Sequence, residues 1–356
     1  MPNLVFSTRY TLKLVTLALL ASGVSVAAQA APKIVASIKP IHSLVAGVMD
    51  GVGEPELIVE GAGSPHAYAM RPTQAAMLQD ADLVFWVGPI LETFLARPIE
   101  TLGAGASVPL MEAALESHGD GGAHAGHEES EKHGADRHAH EGEAGASSGE
   151  HAHEAAGHAH ENEHEHEHEH GTEAEAAHGH SHEGGDPHVW LNPDEAASMV
   201  HRIEEALSKA DPENAATYAA NAEALELRLA ALEGEIETEI EPVKDAHFVV
   251  FHDAYTHFSE RFGITPDASV TVSPDRTPSA AHVAEVRETI ERTKATCVFA
   301  EPQFEPKLVD VLIEGTSARA GTLDPLGATL ADGPDLYFEL MRNLATSLKD
   351  CLSAQS

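Results

Sequence analysis

The chain has 356 residues, 42% of them hydrophobic, and carries a formal net charge of −37 at pH 7. That length suits about two domains, and the apolar fraction is enough to build real cores. The acidity excludes a nucleic-acid partner, because backbone phosphates would be repelled.

Residues 1–30 read as an export leader: Arg9 and Lys13 supply positive charge, Leu14–Ala21 form a short apolar run, and Ala28-Gln29-Ala30 is an A-x-A cleavage pattern. The run is shorter than the roughly 20 residues a membrane span needs. Cleavage after Ala30 would release a soluble periplasmic chain starting at Ala31. No Cys lies at that junction, which argues against a lipid anchor, and no later segment reads as a transmembrane helix.

From Lys33 onward β-rich runs alternate with helical patterns. Ile34–Ile38, Glu56–Val59 and Leu83–Val87 read as strands, with helices around His42–Val48 and over Pro72–Gln79. Strand, helix, strand at this spacing predicts a parallel α/β sheet. At Glu116 the composition changes: residues 116–185 contain no Leu, Ile, Val, Phe or Trp and hold most of the 25 histidines. Such a segment cannot bury enough apolar surface to offset its ordering entropy, so a disordered insertion is expected there. His164, His166, His168 and His170 alternate with glutamates, which in an extended chain puts four imidazoles on one face. Dynamic, low-affinity metal capture by this insertion is the expectation.

Beyond the insertion, Asn192 or Asp194 can cap a helix running to about Lys209. A long helical stretch follows from Pro212 to Pro242, with Tyr218, Leu225, Leu229, Leu232, Ile236 and Ile240 recurring at helical spacing. The second half then repeats the style of the first. Strands are expected at Phe248–Phe251, Ser269–Val272, Cys297–Ala300 and just before Leu323, with helices over Ala254–Phe262, Ser279–Arg292, Pro306–Ser317 and Asp335–Leu352. The fold class is therefore α/β: two α/β lobes with central sheets, joined by one long rigid helix. The expected divisions are an N-terminal lobe over 31–210 interrupted by 116–185, a connecting helix over 211–242, and a C-terminal lobe over 243–356.

Three histidines outside the insertion, His66, His188 and His252, stand where α/β folds gather ligands, beyond strand ends or at the ordered edge of the insertion. A lone histidine is more often a hydrogen-bonded structural residue. Three so placed point to zinc, which favours imidazole nitrogen where Mg²⁺ and Mn²⁺ favour oxygen. Asp324, in a loop after the last expected strand, is a fourth candidate. His42, His201, His247, His257 and His282 read as structural or surface residues. Cys297 and Cys351 are the only cysteines, and in an oxidising compartment such a pair reads as a disulfide rather than a metal or catalytic site. No catalytic residue or enzymatic cofactor is expected, since neither a G-x-x-x-x-G-K-[ST] loop nor an H-E-x-x-H motif occurs.

Several segments together resemble the zinc-specific solute-binding proteins of ABC importers. They are Pro65-His66-Ala67-Tyr68 with Arg71-Pro72, Ala81–Gly88, Asp186–Pro193, Phe248–Tyr255, Cys297–Phe304 and Thr322–Gly327. The resemblance covers essentially the whole mature chain except the insertion. It implies one Zn²⁺ in the interlobe cleft on His66, His188 and His252, a disulfide between positions matching Cys297 and Cys351, and delivery to a membrane permease driven by a separate ATPase. Periplasmic zinc chaperones are a further class of partner, and the protein is expected to be a monomer. One departure matters: some zinc-specific members carry an acidic residue directly before the first ligand histidine, where this chain has Pro65. Asp324 or a water then completes the tetrahedron; Asp324 matches an aspartate that binds metal in other branches. Glu301 and Asp253 adjoin motif residues and are assigned supporting or folding roles. A secreted zinc hydrolase and a zinc buffer are the competing readings.

Overall fold

The structure, a computed structural model, describes residues 31–102, 105–116, 185–271, 273–274 and 276–353. The expected leader at 1–30 and nearly all of the expected insertion at 116–185 lie outside the described residues. Among the described residues no helix is long and apolar enough to cross a membrane.

Strands β1 (Ile34–Ala36), β2 (Glu56–Leu57), β3 (Leu83–Trp86) and β4 (Ala106–Pro109) pair in parallel in the order β2-β1-β3-β4. β1 and β3 are buried at every position, as continuous apolar strands are when both sheet faces are covered. Helices α1 (Lys39–Val48), α2 (Pro72–Asp80), α3 (Thr93–Thr101), α4 (Met111–Glu116) and α5 (Pro193–Ala210) complete this lobe. α5 starts at Asn192, whose side-chain oxygen accepts from the Asp194 backbone N–H at 3.0 Å. The stretch α3-β4-α4 is not foreseen by pattern, because Pro98 falls inside α3 and Gly103 and Gly105 break the run before β4. Gly105 is required where it stands: a Cβ there would come within 1.9 Å of the Asp82 carbonyl oxygen.

The long helix α6 spans Ala215–Ile240, 26 residues, or about 39 Å at 1.5 Å per residue. Tyr218, Leu225, Leu229, Leu232, Ile236 and Ile240 are all buried, on the face the periodicity marks. The helix is more than a strut between two bodies. It packs along α5 and α1 and also along the last helix, α10 (Leu336–Ser353).

In the second lobe β5 (Phe248–His252), β6 (Ala268–Thr271), β7 (Cys297–Ala300) and β8 (Arg319–Thr322) pair in parallel in the order β6-β5-β7-β8, the same topology as the first sheet. Successive side chains of β5 alternate between faces. Phe248 and Val250 join the core shared with the first lobe, while Val249 and Phe251 join a separate core with Val286, Ile290 and Leu312. α7 (Thr256–Phe262) ends at Gly263, whose φ of +68° makes it a left-handed cap that glycine adopts without strain. α8 (Ala280–Thr293) is capped by Ser279, and α9 (Lys307–Ile313) is shorter than the sequence pattern suggests. Cys297 and Cys351 form a disulfide with Cα atoms 6.2 Å apart, fastening the start of β7 to the end of α10.

Candidate metal centre

Each of the three histidines is delivered by a different local device. His66 sits in a single 3₁₀ turn, Pro65–Ala67, at the end of the loop that follows β2. His188 immediately precedes a second such turn, Val189–Leu191, which leads into α5. His252 is the last residue of β5. β5 and β7 are the pair at which the strand order of the second sheet reverses, where open α/β sheets leave a crevice beyond their carboxyl ends. The result is a convergence of three imidazoles: His66 Nε2 lies 3.2 Å from His188 Nε2, which lies 3.3 Å from His252 Nε2. His188 and His252 are each 3% exposed, and His66 is half-buried.

The opposite ring nitrogens explain why the Nε2 atoms face one another. His188 Nδ1 lies 2.5 Å from Asp186 Oδ1, and His252 Nδ1 lies 2.6 Å from Glu301 Oε1. A carboxylate accepts, so each Nδ1 donates its proton outward and leaves an Nε2 lone pair aimed into the site. Asp186 is itself held in place by the backbone N–H groups of His188 at 3.0 Å and Thr256 at 3.2 Å. Burial alone would push the Asp186 carboxyl up, but the charge and hydrogen bonds of His188, with a contribution from His257, hold it well below the usual carboxylate range. Burial pushes His188 below the ordinary imidazole value and so favours the neutral ring, against the opposing pull of Asp186. For His188 and His252 this sets two Nε2 lone pairs 3.3 Å apart, which repel unless a cation lies between them. Tetrahedral zinc–nitrogen bonds of about 2.0–2.1 Å place neighbouring nitrogens about 3.3–3.4 Å apart, and the observed spacings fit that edge.

Asp324 is not brought into this cluster. Its Oδ1 accepts from Gln303 Nε2 at 3.0 Å and from the Leu326 N–H, and its Oδ2 accepts from the Ala328 N–H at 2.6 Å. Both oxygens are thus occupied in shaping the loop after β8, whose Pro325 and Leu326 line the cavity beside the histidines. That cavity is about 10 Å³, room for about one water. Trp190, Phe304 and Leu326 supply its apolar wall, and Trp190 is fixed by an indole N–H donated to the Pro325 carbonyl at 2.8 Å. Asp253 is exposed, whereas Glu301 is buried and accepts from His252.

Sequence reasoning missed two contributors. Asp186 is legible in retrospect as the acid of an Asp-x-His run, two residues before the histidine it orients. His257 reads as structural, yet it is buried with both ring nitrogens engaged: Nδ1 lies 2.8 Å from Glu195 Oε1 and Nε2 2.8 Å from the Asp186 carbonyl oxygen. No spacing rule links 257 to 195. Of the other histidines, His42 is buried against the Pro55 carbonyl, while His201 and His247 are exposed beside Glu205 and Asp267.

Two parallel α/β lobes built on one topology, a shared helical core and three converging histidines, one at a strand end and two at 3₁₀ turns, define a two-lobed α/β fold with a trihistidine centre. Residues 34–351 match the family described as zinc-uptake complex component A, periplasmic. The chain belongs to that family, which is one of transport components and not of enzymes. It is 49% identical over 320 residues to the high-affinity zinc uptake system protein ZnuA of Brucella suis, covering 90% of this chain and 91% of that protein. It is 42% identical over 327 residues to the protein of the same name from Paracoccus denitrificans, covering 91% and 92%. Among solved structures, one described as a zinc-bound 138–173 deletion mutant of ZnuA superposes with a TM-score of 0.65 at 20% identity, covering 92% of this chain and 100% of that one. The zinc-bound ZnuA-like domain of Streptococcus pneumoniae AdcA superposes with a TM-score of 0.59 at 21% identity, covering 91% and 99%. These structural likenesses establish the fold.

Proposed function

We propose that this protein is the periplasmic receptor of a high-affinity zinc uptake system, binding one Zn²⁺ through Nε2 of His66, His188 and His252 and delivering it to an ABC-type permease driven by a separate ATPase. The observation that carries the reading is the convergence of the Nε2 atoms at 3.2 and 3.3 Å, with Nδ1 of His188 and His252 both tied to carboxylates. A water fills the fourth position, since Asp324 is committed to its own loop and Pro65 offers no oxygen ligand. The names of the 49% and 42% identical relatives support zinc as the cargo.

The remaining parts of the proposal rest on the sequence. Residues 1–30 direct export and are removed, leaving a soluble monomer. Residues 31–210 form one lobe, 211–242 the connecting helix and 243–356 the other lobe. The histidine-rich segment 116–185 collects zinc at lower affinity near the receptor, and periplasmic zinc chaperones are additional partners.

Zinc titration of the mature chain tests this reading. One tight equivalent is expected, lost in a His66→Ala, His188→Ala or His252→Ala variant, together with weaker equivalents that disappear when 116–185 is deleted. A tight site that survives all three substitutions would overturn the assignment. An unchanged total stoichiometry after the deletion would overturn the collector role.

A further inference from the structure

The helix α7 begins four residues after the His252 ligand, and it meets the other lobe through two cations one helical turn apart. Arg261 Nε lies 3.2 Å from Asp194 Oδ2, in the first turn of α5. His257, 6% exposed, reaches the neighbouring residue Glu195, itself 1% exposed, and also the Asp186 carbonyl. The chemistry of these partners fixes the state of the ring. A backbone carbonyl only accepts, so His257 Nε2 must carry a proton. Glu195 Oε1 also receives the Asn192 side-chain amide at 3.2 Å, which marks that oxygen as an acceptor, so His257 Nδ1 carries a proton as well. His257 is therefore a buried imidazolium, flanked by Glu195 from α5 and by Asp186 from the segment leading to His188.

What the ring holds is the backbone immediately before a ligand. The Asp186 carbonyl is pinned by His257 Nε2, the Asp186 carboxylate is pinned by the Thr256 N–H, and that carboxylate in turn orients His188. Both anchors come from α7, whose start is tied by four residues of chain to His252. We infer that His257 is a positioning residue for the zinc centre: through the Asp186 carbonyl it locks the His188 arm to the lobe that carries His252, and so sets the spacing of those two ligands. Glu195 stabilises the charge that makes this two-sided grip available. The inference rests on the zinc-receptor reading for its effect on metal, but the ring's state and its grip on residue 186 are properties of the protein alone.

Two substitutions separate the two grips. A glutamine amide nitrogen stands near the position of ring Nε2 and can still donate to the Asp186 carbonyl; an asparagine nitrogen stands near Nδ1 and can reach only Glu195. In competition with a zinc chelator, His257→Asn is expected to weaken zinc binding about 10-fold, chiefly through faster dissociation, as loss of groups that orient ligands does. His257→Gln is expected to stay within about threefold of wild type, although both variants lose a buried charge and melt lower. Amide exchange in the metal-free protein is expected to accelerate over residues 186–192 in His257→Asn only. ¹⁵N spectra of the metal-free wild type are expected to show both His257 ring nitrogens protonated at pH 7. A neutral ring, or equal zinc and exchange behaviour of the two variants, would overturn the inference. A wild type that binds no zinc would instead overturn the receptor reading, and the ring state and exchange pattern would still decide this one.

Discussion

Removing the Glu301 carboxylate is the most direct probe of how the protein prepares its histidines. Glu301 is 3% exposed and accepts from His252 Nδ1 at 2.6 Å, with the Tyr255 hydroxyl at 3.5 Å. In Glu301→Ala the Nδ1–H loses its acceptor inside a buried site, which costs about 1–3 kcal/mol. The ring can escape that cost by moving its proton to Nε2, but then the lone pair that faces His188 is gone, and zinc must drive the tautomer back. Either way the loss appears in zinc affinity: about 1–3 kcal/mol is roughly 5- to 150-fold, in line with the 10- to 100-fold typical of groups that orient metal ligands. Glu301→Gln keeps a carbonyl acceptor without the charge and should fall between alanine and wild type. Zinc dissociation constants from chelator competition, with melting of the metal-free protein as a folding control, measure the effect. A Glu301→Ala protein that folds normally and binds zinc within threefold of wild type would refute the claim that carboxylate-fixed tautomers prepare this site.

Three further outcomes follow from groups away from the ligands. Burial alone would lower His257, but its hydrogen bond to Glu195 and the charges of Glu195 and Asp186 raise it to about 9. A histidine raised in the folded state stabilises fully below its unfolded value of about 6.5 and loses that contribution as pH rises through 9, a span worth about 3 kcal/mol, so melting of the metal-free wild type should fall over that window and His257→Gln should lack this component. Glu92 is fully buried and pushed up to about 7, chiefly by that burial, yet it accepts from the Ser37 hydroxyl and from the Val87 and Gly88 N–H groups; Glu92→Gln would aim an NH₂ at one of these donors, so melting should report a loss of about 1–3 kcal/mol, and an unchanged melting temperature would count against it. The disulfide closes a sequence separation of 54, for which loop-closure entropy gives about 4 kcal/mol, so Cys297→Ser with Cys351→Ser should melt well below wild type, and coincident melting curves would contradict that account.

What the sequence could and could not reveal divides along physical lines. Buried parallel strands and the face of α6 are legible because their signals are local: apolar runs closed by glycine and proline, and a 3.6-residue repeat. The stretch α3-β4-α4 is not, since Pro98 interrupts the helix pattern and β4 leaves two of its four positions exposed. His66, His188 and His252 stand out as candidates by their places at strand ends and at the ordered edge of the insertion, and the structure brings all three together. Asp324 shares the same kind of address after β8 but turns both oxygens to backbone and Gln303. A short aspartate in a Gly-containing loop has two uses, loop capping and ligation, and one-dimensional position does not choose between them. His257–Glu195 has no local signal at all, because 62 residues separate partners that only the meeting of α7 and α5 brings close.

The lobes share one topology but differ in the residues that stand at their switch points. In the first sheet the order reverses between β1 and β3, and the space beyond them is occupied by the buried pair Ser37 and Glu92, with Glu92 closed off by the Val87 and Gly88 N–H groups. In the second sheet the corresponding position beyond β5 and β7 carries His252 and Glu301, and there the acceptor faces a ring whose other nitrogen is left for a ligand. One switch point is closed by a carboxylate, and the other leaves an imidazole nitrogen facing the histidine cluster. The first lobe instead contributes His66 from a loop and His188 from the approach to α5. On the proposed receptor reading, metal release then requires moving those two segments relative to β5. The lobes are fastened to each other by Lys39 to the Leu330 carbonyl, Trp190 to Pro325, Tyr337 to Trp190 and His257 to Glu195, and they share one continuous core along α6. Wide hinge opening would break all of these contacts at once. Small tilts with displacement of the His66 loop break far fewer, and superposable zinc-bound and metal-free forms, loops included, would argue against that route.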